Sequence, residues 1–336
     1  MFIAAMKKRV PLFVLPILLA LACNFPVASL PLLQPTATPT PISTPTPTST
    51  PTKTPIPYPP VLNQPITAGL VVRDLTYCTN DIPLKMDVYF PQTLDGPAPA
   101  LLYIHGGGWI GGDKDNSLGL DDVPALTAAG YLVANVDYRR AGKYPFPAMI
   151  VDAKCAVRFL RARAAEFQID PNRIGAWGSS AGGHIVSLLG LADESAGWDA
   201  GEYGEQSSRV QAVVDMFGPT DLTDPAYQKR FAEKGYLLFD VMNPNLALLA
   251  SASPVTYVSA DDPPFLIIHG DQDMVVSLKQ SETLYQRLIS FGVPVEVLII
   301  KHANHNFVPM GDVMIPSREG VTQRMVAFFD SVLKAP

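Results

Sequence analysis

Cysteine is scarce. The 336 residues contain three, Cys23, Cys78 and Cys155, with no C-x-x-C pair and no zinc-type spacing. That excludes a structural zinc module or a paired-thiol redox centre, and no cofactor or metal is expected. There is no basic block either: 25 Lys and Arg stand against 31 Asp and Glu, a net charge of −6. An acidic chain of this kind is a poor nucleic-acid ligand. Long apolar runs are also missing. The one at the N-terminus, Val10 to Ala22, falls short of the about 20 residues a spanning helix needs.

That N-terminal run has a different logic. Lys7, Lys8 and Arg9 precede it, and Ala20-Leu21-Ala22-Cys23 ends it, so residues 1–22 read as a signal peptide. Two processing routes compete. Ala20-x-Ala22 suits ordinary cleavage and free secretion. The same residues followed by Cys23 resemble a bacterial lipobox, which would make Cys23 a lipidated mature N-terminus. The lipoprotein is the preferred reading, although Ala20 stands where the usual lipobox has Leu. Membrane contact is then expected only through that anchor. Loss of the three basic residues takes the charge from −6 to −9.

Residues 23–60 are read as a disordered stalk. Ten prolines and nine threonines fall in residues 35–60. Such a stretch has too little apolar surface to offset the entropy of ordering. In a polyproline-like form its 26 residues reach on the order of 80 Å, at about 3.1 Å per residue. The remainder, 61–336, suits one large α/β domain. If the protein is exported, Cys78 and Cys155 are free to pair; alternatively each is a small core residue.

Gly69–Tyr77 and Leu84–Phe90 read as an antiparallel hairpin around Asn80-Asp81. From Ala98 onward, apolar runs alternate with helical patterns. Strands are expected at 98–104, 131–136, 173–177, 210–217, 264–268 and 293–300. Helices are expected near 121–129, 145–166, after 180, 278–291 and 318–333. Asp170-Pro171-Asn172 reads as a turn. This alternation predicts a mostly parallel sheet with helices on both faces and ligands at the strands' carboxyl ends. Residues 222–250, with Tyr227, Phe231, Tyr236 and Phe239, fit a small cap.

The organising stretch is Trp177-Gly178-Ser179-Ser180-Ala181-Gly182-Gly183, between an apolar strand and a helical pattern. G-x-S-x-G in that context is a nucleophile elbow, whose strained turn needs almost bare positions two residues either side of the serine. His105-Gly106-Gly107-Gly108-Trp109 follows another buried strand, where three glycines let backbone N–H groups approach a ligand. Serine needs a base, and the base needs an orienting carboxylate. Of five histidines, only His302 and His305 lie on a free loop after the last strand, and His305 is preferred because Phe307 can anchor the returning loop. Asp271 and Asp273 rival each other as the acid, with Asp273 freer to reach. His184, four residues after Ser180, is read as structural rather than as a second base.

His105-Gly106-Gly107-Gly108-Trp109, Gly178-Ser179-Ser180-Ala181-Gly182-Gly183-His184 and Gly218-Pro219-Thr220-Asp221 resemble the carboxylesterases of the hormone-sensitive-lipase-like group. The branch holding bacterial acetyl and feruloyl esterases is the most similar. The resemblance covers nearly all of residues 65–333. It implies an eight-stranded α/β-hydrolase fold, the triad Ser180, Asp273 and His305, and an oxyanion hole from Gly107, Gly108 and Ala181. It also implies small acyl substrates, acetyl or feruloyl, on a small molecule or a polysaccharide. Asn306 departs from the family's usual glycine, a mild change because Asn tolerates left-handed backbone. The alternatives are a prolyl-oligopeptidase-type peptidase, a formamidase-like amidase and an inactive surface-binding module. Against the first, Ala181 stands where those peptidases usually carry Tyr; against the last, no motif is damaged.

Overall fold

The computed structural model of the chain describes residues 58–233, 238–239 and 244–334. The expected signal peptide, Cys23 and all of the stalk before Tyr58 lie outside the described residues, as do parts of the expected cap. The described residues contain an eight-stranded sheet in the order β1-β2-β4-β3-β5-β6-β7-β8. The strands are β1 (Val71–Asn80), β2 (Ile82–Tyr89), β3 (Ala98–Ile104), β4 (Leu132–Val136), β5 (Ile169–Ser179), β6 (Ala212–Met216), β7 (Phe265–Gly270) and β8 (Val295–Ile300). β1 and β2 form the expected antiparallel hairpin at one edge, turned at Asp81, and β2 runs antiparallel to β4. All later pairings are parallel.

Both faces of the central strands are buried, which is why those strands are continuously apolar rather than alternating. Ala100, Leu102 and Ile104 of β3, Ala176 of β5 and Val213 of β6 point into one core with α2 (Ala148–Ala162), α4 (Ala181–Leu191) and α7 (Lys279–Ser290). Leu101, Tyr103, Trp177, Val214 and Met216 point into the other, with α1 (Val123–Ala128) and α8 (Arg318–Leu333).

Two expectations on local structure need correction. Asp170-Pro171-Asn172 is not a separate turn but an irregularity inside β5, where Ile169 pairs Ala98 while Ile174 already pairs Ala100. The helix expected over 145–166 stops at Ala162. Arg163 takes non-helical angles, and a short α3 (Ala164–Phe167) follows. Apolar periodicity continues through this break, so the pattern cannot reveal it. Within 222–250 the described elements are α5 (Pro225–Glu233) and α6 (Leu246–Ser251).

Cys78 of β1 and Cys155 of α2 form a disulfide across a separation of 77 residues. It ties the edge hairpin to the helix that packs on it. Closing so long a loop in the unfolded chain costs it considerable entropy. The Cys78→Ser/Cys155→Ser double variant should therefore lose about 2–4 kcal/mol of stability in denaturant titration. An unchanged midpoint would mean that the bridge contributes nothing.

Candidate active site

The turn from β5 into α4 is held open by glycine. A side chain on Gly182 would overlap the carbonyl oxygens of Ile104 and His105, and one on Gly178 would overlap Gly182. With both positions bare, β5 turns directly into α4. Ser180 sits between them at φ 55°, ψ −118°. Its N–H donates to Met216 O at 2.8 Å, so it is committed to the sheet. The N–H of Ala181 belongs to the first turn of α4, where no intrahelical acceptor exists.

His305 Nε2 lies 3.0 Å from Ser180 Oγ, and His305 Nδ1 lies 2.7 Å from Asp273 Oδ2. The carboxylate can only accept, so Nδ1 carries the proton and Nε2 is left to receive one from Ser180. The Asp273 side chain is fully buried. Its Oδ1 accepts the N–H groups of Val275 and Val276 at 2.7 and 2.9 Å, and its Oδ2 lies 3.3 Å from His269 Nε2. Burial alone would raise its pKa. The bonds from His269, His305 and Val276 outweigh burial and hold it well below the usual carboxylate range. Asp271 instead lies 3.8 Å from Lys301 Nζ, and the backbone carbonyl of His302 accepts Met310 N–H. Neither rival enters the hydrogen-bonded series Asp273–His305–Ser180.

The histidine loop needs three supports, of which the sequence suggested one. Phe307 is buried against Phe217, with ring centroids 4.8 Å apart. Phe217 also packs edge-on to His305 at 4.6 Å, and nothing in its local sequence marks that role. Asn304 Oδ1 accepts both His305 N–H at 2.7 Å and Met274 N–H at 2.9 Å, joining the loops that carry His305 and Asp273. Asn306 is left-handed, at φ 58° and ψ 21°, the region that Asn tolerates.

Opposite the elbow lies the glycine loop. Gly107 and Gly108 have φ +119° and +61°, and a side chain on Gly107 would overlap the backbone of Gly111, whose N–H bonds Gly107 O at 2.9 Å. His105 is buried, with Nδ1 2.7 Å from the Gly106 carbonyl, and burial pushes its pKa down to about 4. Trp109 Nε1 donates to His184 Nδ1 at 3.1 Å, and His184 Nε2 donates to Ala252 O at 2.7 Å. His184 thus ties the glycine loop to the segment after α6 and has no lone pair left for Ser180. Ser180, Ala181, Gly107, Gly108 and His305 line one cavity of about 500 Å³, with Leu118, Pro219, Tyr227 and Val275 among its other walls. Among the described residues no group of three or more His, Cys, Asp or Glu is placed to hold a metal ion.

Beneath the elbow, Asp215 is wholly buried. Its Oδ1 accepts Gly218 N–H at 2.8 Å. Burial raises its pKa from 3.8 to about 6. A folded value above the unfolded one favours the protonated form. That contribution is full below about 3.8 and is lost as pH rises through about 6. Asp215→Asn should therefore raise the melting temperature at pH 8 and bring no gain at pH 4. An equal gain at both pH values would rule out ionisation as the cause.

Fold and site together define the class: this is an α/β-hydrolase fold, with serine, acid and histidine following β5, β7 and β8. The BD-FAE family model matches residues 86–288, and the chain belongs to that family. Esterase LipC of Mycobacterium tuberculosis is 31% identical over 238 residues, which are 69% of this chain and 58% of that protein. The chain spans about half the length of the curated relatives it matches. Among solved structures, a truncated carbohydrate esterase from gut microbiota superposes with a TM-score of 0.67 at 25% identity, covering 80% of this chain and 98% of that one. A bifunctional GH43-CE protein of Bacteroides eggerthii gives 0.69 at 29% identity, covering 79% and 38%.

Proposed function

We propose that the protein is a serine esterase that hydrolyses carboxylic esters of small acyl groups, acetyl or feruloyl, carried on a glycan. The observation that carries this reading is the hydrogen-bonded series Asp273–His305–Ser180, opening into a cavity that also holds Gly107, Gly108 and Ala181. Ser180 Oγ attacks the ester carbonyl while His305 Nε2 takes its proton. Asp273 keeps the imidazole in the receiving tautomer and stabilises the cation that forms. The tetrahedral oxyanion rests on the N–H groups of Gly107, Gly108 and Ala181. Each such donor is worth about 2.7–4 kcal/mol of barrier where comparable ones have been removed. Collapse breaks the bond to the alcohol, which leaves with the proton from His305. Water then repeats the sequence on the acyl-Ser180 and releases the acid.

The relatives named as esterases and the neighbour named as a carbohydrate esterase support the reaction class and the glycan. Export through residues 1–22, with lipid attachment at Cys23 and a stalk over 23–60, completes the proposal. The Cys78–Cys155 disulfide suits an oxidising compartment and supports export. Tyr227 of α5 lines the cavity, which supports a cap role for 222–250.

The test is hydrolysis of a p-nitrophenyl acyl series, acetate to decanoate, by the full chain. The expected result is a maximum at acetate or butyrate and a steep fall beyond. Folded protein that cleaves none of these esters would sink the esterase reading and point to amides or peptides.

A further inference from the structure

A second cavity of about 590 Å³ lies beside the first. The two share Tyr227 as a wall and are lined by neighbouring residues of two more chain segments. Pro219 and Val276 line the first, while Asp221 and Ser277 line the second. The two cavities adjoin at Tyr227, beside the loop after β6 and the loop after β7. The size falls within the about 300–1,000 Å³ of small-molecule sites.

The lining mixes polar side chains with the apolar surface of Pro225, Ala226 and Tyr227. Asp221, Thr223, Asp224, Ser277, Lys279 and Thr283 supply carboxylates, hydroxyls and one ammonium, beside the ring of Tyr227. The loop that carries the acids is fixed. Asp221 Oδ1 accepts the N–H and hydroxyl of Thr223 at 2.9 and 2.5 Å, and Asp224 Oδ1 accepts Ala226 N–H at 3.0 Å. Gln280, 1% exposed, braces the floor. Its Oε1 accepts Thr220 and Asp221 N–H at 2.8 and 2.7 Å, and its Nε2 donates to Asp221 O at 3.1 Å. Charged acceptors held in place before binding avoid the cost of ordering them on binding.

The chemistry narrows the occupant. An apolar group would desolvate Asp221 and Asp224 without giving them donors. An anion would meet two carboxylates. A divalent cation would meet Lys279, and the residues form no metal-ligand group. A neutral polyol satisfies all of them: its hydroxyls donate to the carboxylates and accept from the ammonium, and its C–H face covers the tyrosine ring.

We propose that this second cavity binds the sugar on the alcohol side of the ester, so that the glycan lies past Tyr227 while its acyl group reaches Ser180. The proposal rests on the esterase reading above and adds where the polysaccharide sits.

The test uses the full chain and Thr283→Trp, which fills the cavity from the face of α7. Two readouts are taken. The first is kcat/KM on acetylated xylo-oligosaccharide divided by kcat/KM on p-nitrophenyl acetate. The second is saturation-transfer NMR with unesterified xylotriose, cellotriose and mannotriose. The expected result is a fall in the ratio of about tenfold in the variant, the share of a charged hydrogen bond, with loss of the trisaccharide signal that the wild type gives. Wild-type hydrolysis of p-nitrophenyl acetate with an unchanged ratio and no trisaccharide signal would overturn the subsite alone. No ester hydrolysis by the wild type would overturn the esterase reading beneath it.

Discussion

Ser180→Ala should lower kcat/KM for p-nitrophenyl acetate by about 10⁴-fold or more, the scale seen when a serine nucleophile is removed and only binding and oxyanion contacts remain. The fold should survive. The elbow's geometry is set by Gly178 and Gly182, whose neighbours leave no room for a side chain, and by the Ser180 N–H bond to Met216, which alanine keeps. Circular dichroism and the melting temperature should therefore stay near wild type while activity vanishes. A loss of less than about tenfold would place the nucleophile elsewhere.

The second large effect concerns the acid. Asp273→Asn keeps the shape of the side chain but offers His305 Nδ1 an amide. If its N–H group turns to the ring, Nδ1 must accept and the proton moves to Nε2, where it cannot receive one from Ser180. The expected loss in kcat is about 10⁴-fold, from the wrong tautomer alone. Asp271→Asn supplies the control. Its carboxylate lies 3.8 Å from Lys301, whose side chain is 62% exposed, so the change should stay within about a factor of three. Reversal of these two results would exchange the two acids.

The parts of the site that the sequence discloses are those encoded locally. Gly178 and Gly182 flank Ser180 in one turn, and three glycines mark the loop at His105, because close backbone approach leaves a local signature. The choice between Asp271 and Asp273, or His302 and His305, has a weaker signature: Phe307 two residues after His305, and the position of Asp273 further past its strand. Each pair lies within a few residues on a loop, and only the folded chain determines which side chain faces the other. The disulfide is hidden for a related reason. Cys78 and Cys155 stand 77 residues apart, and nothing near either shows that β1 lies against α2. Phe217, Asn304 and Gln280 support the site through long-range contacts, so they look like ordinary core and loop residues in the sequence. The sheet itself was legible because burial on both faces demands continuous apolar runs. The irregularity at Asp170–Asn172 was not, since a turn and a bulge use the same residues.

The central claim is that Ser180, activated through His305 and Asp273, becomes covalently acylated. Treating the full chain with diisopropyl fluorophosphate, then mapping the adduct by peptide mass spectrometry, tests it directly. One diisopropylphosphoryl group on Ser180, with esterase activity lost in parallel, and no adduct on the His305→Ala variant, is the predicted result. An active protein that remains unmodified, or a label on another side chain that accounts for the loss of activity, would contradict the claim.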